Sequence, residues 1–246
     1  MTQNAQARLI AKLVYLSCQR FPFWFLTLAA AVAVLVGVLA TVSAALNHSI
    51  WEKIAVGAAL YFPLALAIMT VPVQLRVYVT NDSTRRAFTL GAIGGLVLTA
   101  LGFAAVATLG YGAEHLVFAV QGARMKLDAP HTFSSTGQIP LVLLETAVLL
   151  LGHVSSGMLI GACFYRYGVR GLYLLLPALI PAAGTELLLS AGWLGAVRLL
   201  TVPLPVAALV SVLLAAAGFA ATVPVLRRTV IRTANPAANQ PGWAIG

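Results

Sequence analysis

Two acids and one histidine interrupt stretches that are otherwise apolar: Glu145, His153 and Glu186. An ionisable side chain in such a setting is costly unless it is paired, so it marks either a conduction path or a structural hydrogen bond. Glu145 and His153 point to neighbouring faces of one helix, about 80° apart. Glu145 and Glu186 both fall near the expected outer ends of their stretches, where water is close. That leaves two readings open, a solvated rim or a single interhelical hydrogen bond on one hand, and a path for substrate or protons on the other. Neither acid has a basic partner within its own stretch, so the paired charges that an ion-coupled carrier needs are missing from the sequence.

Ser155 and Ser156 beside His153 hint at a nucleophile and its base. On one helix, however, side chains two or three positions apart diverge by about 200–300°, and a nucleophile needs its base within hydrogen-bond reach. No H-E-x-x-H, paired-Asp or Cys/His metal spacing occurs, so the sequence offers no catalytic residue and no metal site. No Gly-Lys dipeptide occurs either, so the chain lacks the loop that cradles ATP phosphates. An enzyme is the least favoured class, and any driving energy must come from a partner or an ion gradient.

The elements that position these residues are set by composition. The chain has 246 residues, of which 61% are hydrophobic and 9% charged, against about 25% charged in soluble domains. Residues 21–51, 54–75, 87–113 and 199–226 contain no Asp, Glu, Lys or Arg, and each run exceeds the roughly 20 residues that cross a bilayer as a helix. Two more apolar stretches carry one acid each. The expectation is an all-α, polytopic membrane bundle of about six helices, at 22–46, 54–75, 87–109, 139–163, 171–190 and 204–226. The alternating pattern of barrel strands is absent. Cleavage of a signal peptide is not expected, because the first apolar run is far too long.

The net charge of +9 follows topology and does not call for a nucleic-acid partner. With both termini in the cytoplasm, only Lys53, Arg124, Lys126 and Arg198 of the 15 Lys and Arg residues fall outside, in agreement with the positive-inside rule. Cys18 and Cys163 then lie on the reducing side, and no disulfide is expected.

Residues 1–20 form an amphipathic interfacial helix in this reading, 21–226 the transmembrane domain and 227–246 a cytoplasmic tail. Arg8, Lys12, Tyr15 and Gln19 make one face, with Leu9, Leu13, Leu16, Ile10 and Val14 opposite. Such a helix lies along the inner leaflet, serving as an anchor or as a docking surface. Asn81, Asp82 and Ser83 predict a tight turn between the second and third spans. Arg85 and Arg86 follow it, as topology signals or as contacts. The outer segment 110–138 predicts an interfacial helix from Glu114 to Lys126, then an irregular Pro130–Gln138 stretch. Pro177 and Pro181 predict a fifth span that kinks or becomes re-entrant, followed by a short interfacial helix over 191–202. Gly91/Gly95 and Gly157/Gly161 are G-x-x-x-G pairs suited to close helix packing.

Two segments together resemble the permease subunits of bacterial type-2 ABC exporters. Asp82-Ser83-Thr84-Arg85-Arg86-Ala87-Phe88, leading into Leu90-Gly91, is similar to the family's Gly-x-Thr-Arg-Arg-x-aromatic segment. Gly157–Gly161 with Phe164-Tyr165-Arg166-Tyr167-Gly168 and Gly171 is similar to its Gly-rich fourth span and aromatic-Arg-x-Gly exit. Asp82 stands where the family has Gly. The resemblance implies a transport subunit that is not itself an enzyme, in a bacterial plasma membrane, paired with a second permease of the same or a different kind. It also implies a separate ATPase that binds ATP and Mg. Arg76, Tyr78, Thr80, Asn81, Asp82, Thr84, Arg85 and Arg86 would form the loop that contacts the ATPase. The apolar bundle leans toward an amphipathic or hydrophobic cargo. A non-transporting scaffold or accessory subunit, and behind it an ion-coupled carrier, are the alternatives.

Overall fold

Surrounded by lipid, a chain must satisfy its backbone N–H and C=O groups within itself, and helices do this segment by segment. A computed structural model describes residues 3–18, 48–123, 125–195 and 202–229. It is a helical bundle whose only bridge between extended segments, among the described residues, joins His48 and Lys126. We label its helices α1 (residues 3–18), α2 (Ile50–Thr80), α3 (Arg85–Val120), α4 (Ile139–Tyr167), α5 (Ile180–Leu189) and α6 (Leu204–Arg227). Four stretches are long and apolar enough to cross a membrane: α2, α3, Ile139–Leu189 and α6. The first expected span, 22–46, lies outside the described residues, as do 196–201 and nearly all of the expected tail.

α2 starts earlier than its apolar run suggests because Ser49 caps it, accepting a hydrogen bond at Oγ from the Glu52 N–H at 3.0 Å. A π-helical turn over Lys53–Ala58 widens its first part. Pro63 and Pro72 sit inside it, as membrane helices tolerate. α3 differs from expectation. No separate interfacial helix begins at Glu114, since α3 continues unbroken to Val120 and stops where Gly122 takes a positive φ of 64°. The glycines at 110 and 112 do not interrupt it, because neighbouring side chains fill the space: a Cβ at Gly110 would overlap the Trp51 indole. Residues 125–138 are irregular, as predicted for the part beyond Pro130.

Ile139–Leu189 folds back on itself. After α4 comes a 3₁₀ segment, Gly168–Leu174, then a single turn at Leu175–Ala178, a break at Leu179, and α5 with Pro181 in its first turn. The proline pair thus breaks the fifth span, and the two arms run antiparallel. Ser156 Oγ on α4 accepts the Ala182 N–H at 2.9 Å, and a Cβ at Gly152 would lie 2.5 Å from Thr185. α5 ends beside the middle of α4, where the chain turns through Ser190 (φ 48°) and Gly192 (φ 72°). The short helix Gly192–Gly195 follows.

Small residues set the closest approaches. Gly157 and Gly161 of α4 lie directly on the Leu64 and Ile68 carbonyls of α2, leaving no room for a methyl group. Gly91 and Gly95 of α3 receive Ile10 and Val14 of α1, where a Cβ would come within 2.6 and 2.7 Å of their Cβ atoms. α1 therefore packs along α3 through Ile10, Val14 and Cys18, all buried, while Leu9, Leu13 and Leu16 stay exposed. The packed face is narrower than the apolar stripe in the sequence, because only every fourth residue meets a glycine groove.

Replacing Gly161 by Ala should push α2 from α4 and destabilise the bundle by about 1–3 kcal/mol, the usual cost of overpacking. Gly57→Ala is the control, since a Cβ there meets nothing within 4 Å. Thermal unfolding of the full chain in detergent should show a lowered midpoint for the first variant only.

Candidate functional site

The charged side chains divide the bundle into two ends. Arg76, Arg85, Arg86, Arg166, Arg170 and Arg227 mark one end, where α2, α4 and α6 finish and α3 begins. The other end carries His48, Glu52, Lys53, Glu114, His115, Asp128, His131 and Glu145. Five of the six acids in the chain belong to this second end or to the bundle interior; Asp82 is the exception.

At the histidine end, the irregular segment after α3 drops His131 between α2 and α4. His131 Nδ1 lies 2.6 Å from Glu145 Oε1, and its Nε2 lies 3.1 Å from Glu52 Oε1. All three side chains are at most 3% exposed. The remaining acceptor capacity of the acids is filled by the same segment. Glu52 takes the backbone N–H groups of Asp128 and Ala129 at 2.7 and 2.5 Å. Glu145 Oε2 takes the Thr132 N–H and hydroxyl at 2.5 and 2.7 Å. Phe133 stacks on the imidazole at 4.4 Å, and Tyr111 meets it edge-on at 6.2 Å. Burial alone would push the His131 imidazole down; its hydrogen bonds to the Glu145 and Glu52 carboxylates, with their charge, outweigh it and raise it to about 9.

Around this core the segment is pinned at further points. Asp128 pairs with His48 at 2.5 Å and with Lys53 at 3.6 Å, and the His48 hydrogen bond holds its carboxyl below the usual range. Glu114 caps the start of α2, taking the Ser49 hydroxyl at 2.5 Å and the Ile50 N–H at 2.9 Å. A carboxylate at that position also suits the helix dipole.

The second cluster lies deeper. His153 Nε2 on α4 is 3.1 Å from Glu186 Oε1 on α5, and its Nδ1 is 2.8 Å from the Leu149 carbonyl. The Tyr61 hydroxyl donates to Glu186 Oε1 at 3.1 Å, and the Leu194 N–H donates to Oε2 at 2.8 Å. Gly192 makes the second of these contacts possible, because a Cβ there would sit 2.9 Å from the Glu186 carboxyl carbon. A cavity of about 20 Å³ adjoins the first cluster, room for roughly one water. Its lining includes His131 and Glu145, Gly192, which lies against Glu186, and Ala55 and Val56 of the π turn.

Glu145 and Glu186 are thus not solvated rim residues: each is 2% exposed and each meets a histidine. Nor are paired charges missing. They are formed between elements, Glu186 with a residue 33 positions away and Glu52 with one 79 positions away, which inspection of single spans cannot find. Sequence reasoning missed Glu52, His131, Tyr61, Glu114 and the His48–Asp128 pair. One signal was present: Ser49-Ile50-Trp51-Glu52 has the S-x-x-E form of a capping box. The Ser half of that box forms, but the Glu52 carboxylate turns to the 128–131 segment instead. Ser155 donates to the Gly152 carbonyl and Ser156 serves α5, so neither is presented to His153 as a nucleophile. Among the described residues no group of three or more His, Cys, Asp or Glu is arranged to hold a metal ion.

At the arginine end, α2 and α3 are joined by four residues, 81–84. Asp82 adopts φ 58°, and the Ser83 N–H bonds back to the Tyr78 carbonyl at 3.0 Å, a left-handed helix stop. Thr84 caps α3 by accepting the Ala87 N–H at 3.1 Å. Arg76, Thr80, Asn81, Asp82, Thr84 and Arg86 are exposed, whereas Arg85 is half-buried and reaches the Arg227 carbonyl at 3.4 Å. Tyr78 packs on Phe88 at 5.7 Å and so braces the turn. Compared with protein-family models, with curated proteins and with solved structures, the chain finds no significant match.

The raised His131 gives a pH prediction. A group whose protonation is favoured by folding stabilises the fold fully below its ordinary value and loses that contribution as pH rises through the folded value. The window here is pH 6.5 to about 9, and the loss is about 3 kcal/mol, at 1.36 kcal/mol per unit. The melting midpoint in detergent should fall across that window. His131→Gln should be less stable at pH 6 and should lose most of the slope.

Proposed function

We propose that this chain is the membrane-spanning permease subunit of an ATP-driven exporter of the ABC type, working with a second permease and a separate ATPase that carries ATP and Mg. The membrane is the plasma membrane of a bacterium, with the arginine end and both termini in the cytoplasm. The observation that carries this reading is the turn at 81–84. The resembled family has glycine where Asp82 stands, and Asp82 takes the left-handed conformation that glycine favours and Asp tolerates. The sequence departs from the family pattern there, yet Asp82 takes a positive φ of 58° that a glycine would take freely. The turn also presents Arg86, Asp82 and Arg76 at the tip of two long helices, a rigid lever for a partner to push. The unsealed arrangement of α5, which stops midway along α4, suits a bundle that rocks between two states.

A second reading, an ion-coupled carrier, is favoured by one observation, the charge pairs buried between α2, α4 and α5. The two readings differ in their partner. Purified in mild detergent, the wild-type chain should bring an ATPase with it, and Arg85→Glu with Arg86→Glu should reduce that recovery at least about tenfold, as charge reversal at a contact costs several kcal/mol. Recovery of no ATPase by the wild type would overturn the exporter reading, and undiminished recovery by the double variant would overturn the assignment of Arg85 and Arg86 to the ATPase contact.

A further inference from the structure

The His153–Glu186 pair has a proton count that its partners dictate. His153 Nδ1 faces the Leu149 carbonyl at 2.8 Å, and a carbonyl only accepts, so Nδ1 carries hydrogen. Its Nε2 faces Glu186 Oε1 at 3.1 Å. With Nδ1 already protonated, a neutral ring offers only a lone pair at Nε2, and an ionised carboxylate offers only lone pairs as well. The contact therefore needs one more proton, held on Nε2 or on Oε1. Its other partners cannot supply this proton: Tyr61 and Leu194 each donate to Glu186 through hydrogens of their own.

We propose that His153 and Glu186 together form a binding site for a single proton in the middle of the bundle, and that the structure describes its loaded state. Loaded, the pair is net neutral. Unloaded, it is a carboxylate beside a neutral imidazole, one negative charge enclosed by apolar helices. Glu186 is 2% and His153 1% exposed, and burial of an uncompensated charge is strongly unfavourable. Among the described residues, the elements packed against the pair bring no cation that could replace the proton. α2 brings Tyr61, the turn after α5 brings only a backbone N–H, and α6 has no ionisable residue before Arg227. Release therefore requires water to reach Glu186, and Gly192 is where the cavity comes up against it. Glu145 and His131 line the same cavity, so the proton leaves toward the histidine end. Its departure sets two lone pairs against each other and loosens α5 from α4. The inference holds for an ATP-driven exporter and for an ion-coupled carrier alike, because it rests on donors and acceptors and not on either reading.

The test uses the full chain labelled with ¹⁵N-histidine in phosphatidylcholine–phosphatidylglycerol vesicles, with ring ¹⁵N shifts followed from pH 5 to 10. The chain has four histidines, and His153 is identified as the signal absent from His153→Gln. The expected result is that Nδ1 stays protonated throughout, while the Nε2 shift passes through one transition, from a nitrogen sharing a proton with Glu186 to a free lone pair. Glu186→Gln should remove that transition or lower it by more than one pH unit, because the Gln amide donates to Nε2 without any titrating proton. No transition in the wild type, or one that Glu186→Gln leaves in place, would overturn the proposal. Should a variant not fold, the His153 signal is identified in the wild type as the ring whose Nδ1 lies against a ¹³C-labelled Leu149 carbonyl, and its titration decides. In a His131→Gln background, the melting midpoint should also fall with rising pH, and adding Glu186→Gln should flatten it; equal slopes would count against the site.

Discussion

A carboxylate enclosed by hydrocarbon has few stable options, and the architecture of this chain follows from that. Three acids, Glu52, Glu145 and Glu186, are almost fully buried, and every one of them meets an imidazole as well as backbone or hydroxyl donors. Because the partners come from different helices and from the segment after α3, satisfying the acids fixes how those elements sit. His131 ties α2 to α4, and His153 ties α4 to the tip of α5. These contacts are directional and local, unlike the dispersion packing that holds the remaining surfaces together, so they specify register where apolar side chains would allow sliding.

Glycine provides the complementary constraint. Where α4 touches α2, and where α1 lies along α3, glycines meet backbone carbonyls and the first carbons of Ile10, Val14 and Ala67. Lipid offers apolar groups as good an environment as another helix does, so association depends on close fit. The glycine seams bring α2 and α4 near enough for Tyr61 to reach Glu186. Packing and polar pairing are thus linked: a wider seam would separate the hydroxyl from the carboxylate.

The two ends of the bundle are chemically unlike. The arginine end is a compact turn with most of its cations exposed and one acid, Asp82, shaping the backbone. The histidine end is a network of acids and imidazoles folded under an irregular segment and enclosing little water. α5, ending halfway with Glu186 at its tip, is the element nearest to both the cavity and the helix seams.

How much of this was legible in the sequence depends on the range of the interaction. Composition and long uncharged runs required an all-helical membrane bundle, because backbone groups in lipid have no other partner. Pro177 and Pro181 announced the broken fifth arm, and Asn81-Asp82-Ser83 the tight turn, since both act on their own backbone. Glu145, His153 and Glu186 stood out as ionisable residues in apolar stretches. What they do could not be seen, because His131, Glu52 and Tyr61 come to them from positions remote in the chain. The unbroken run of α3 through Gly110 and Gly112 likewise depended on neighbours filling the space. Local geometry and solvent class were written in residue order; the pairing of buried charges was decided only when tertiary packing brought donors and acceptors together.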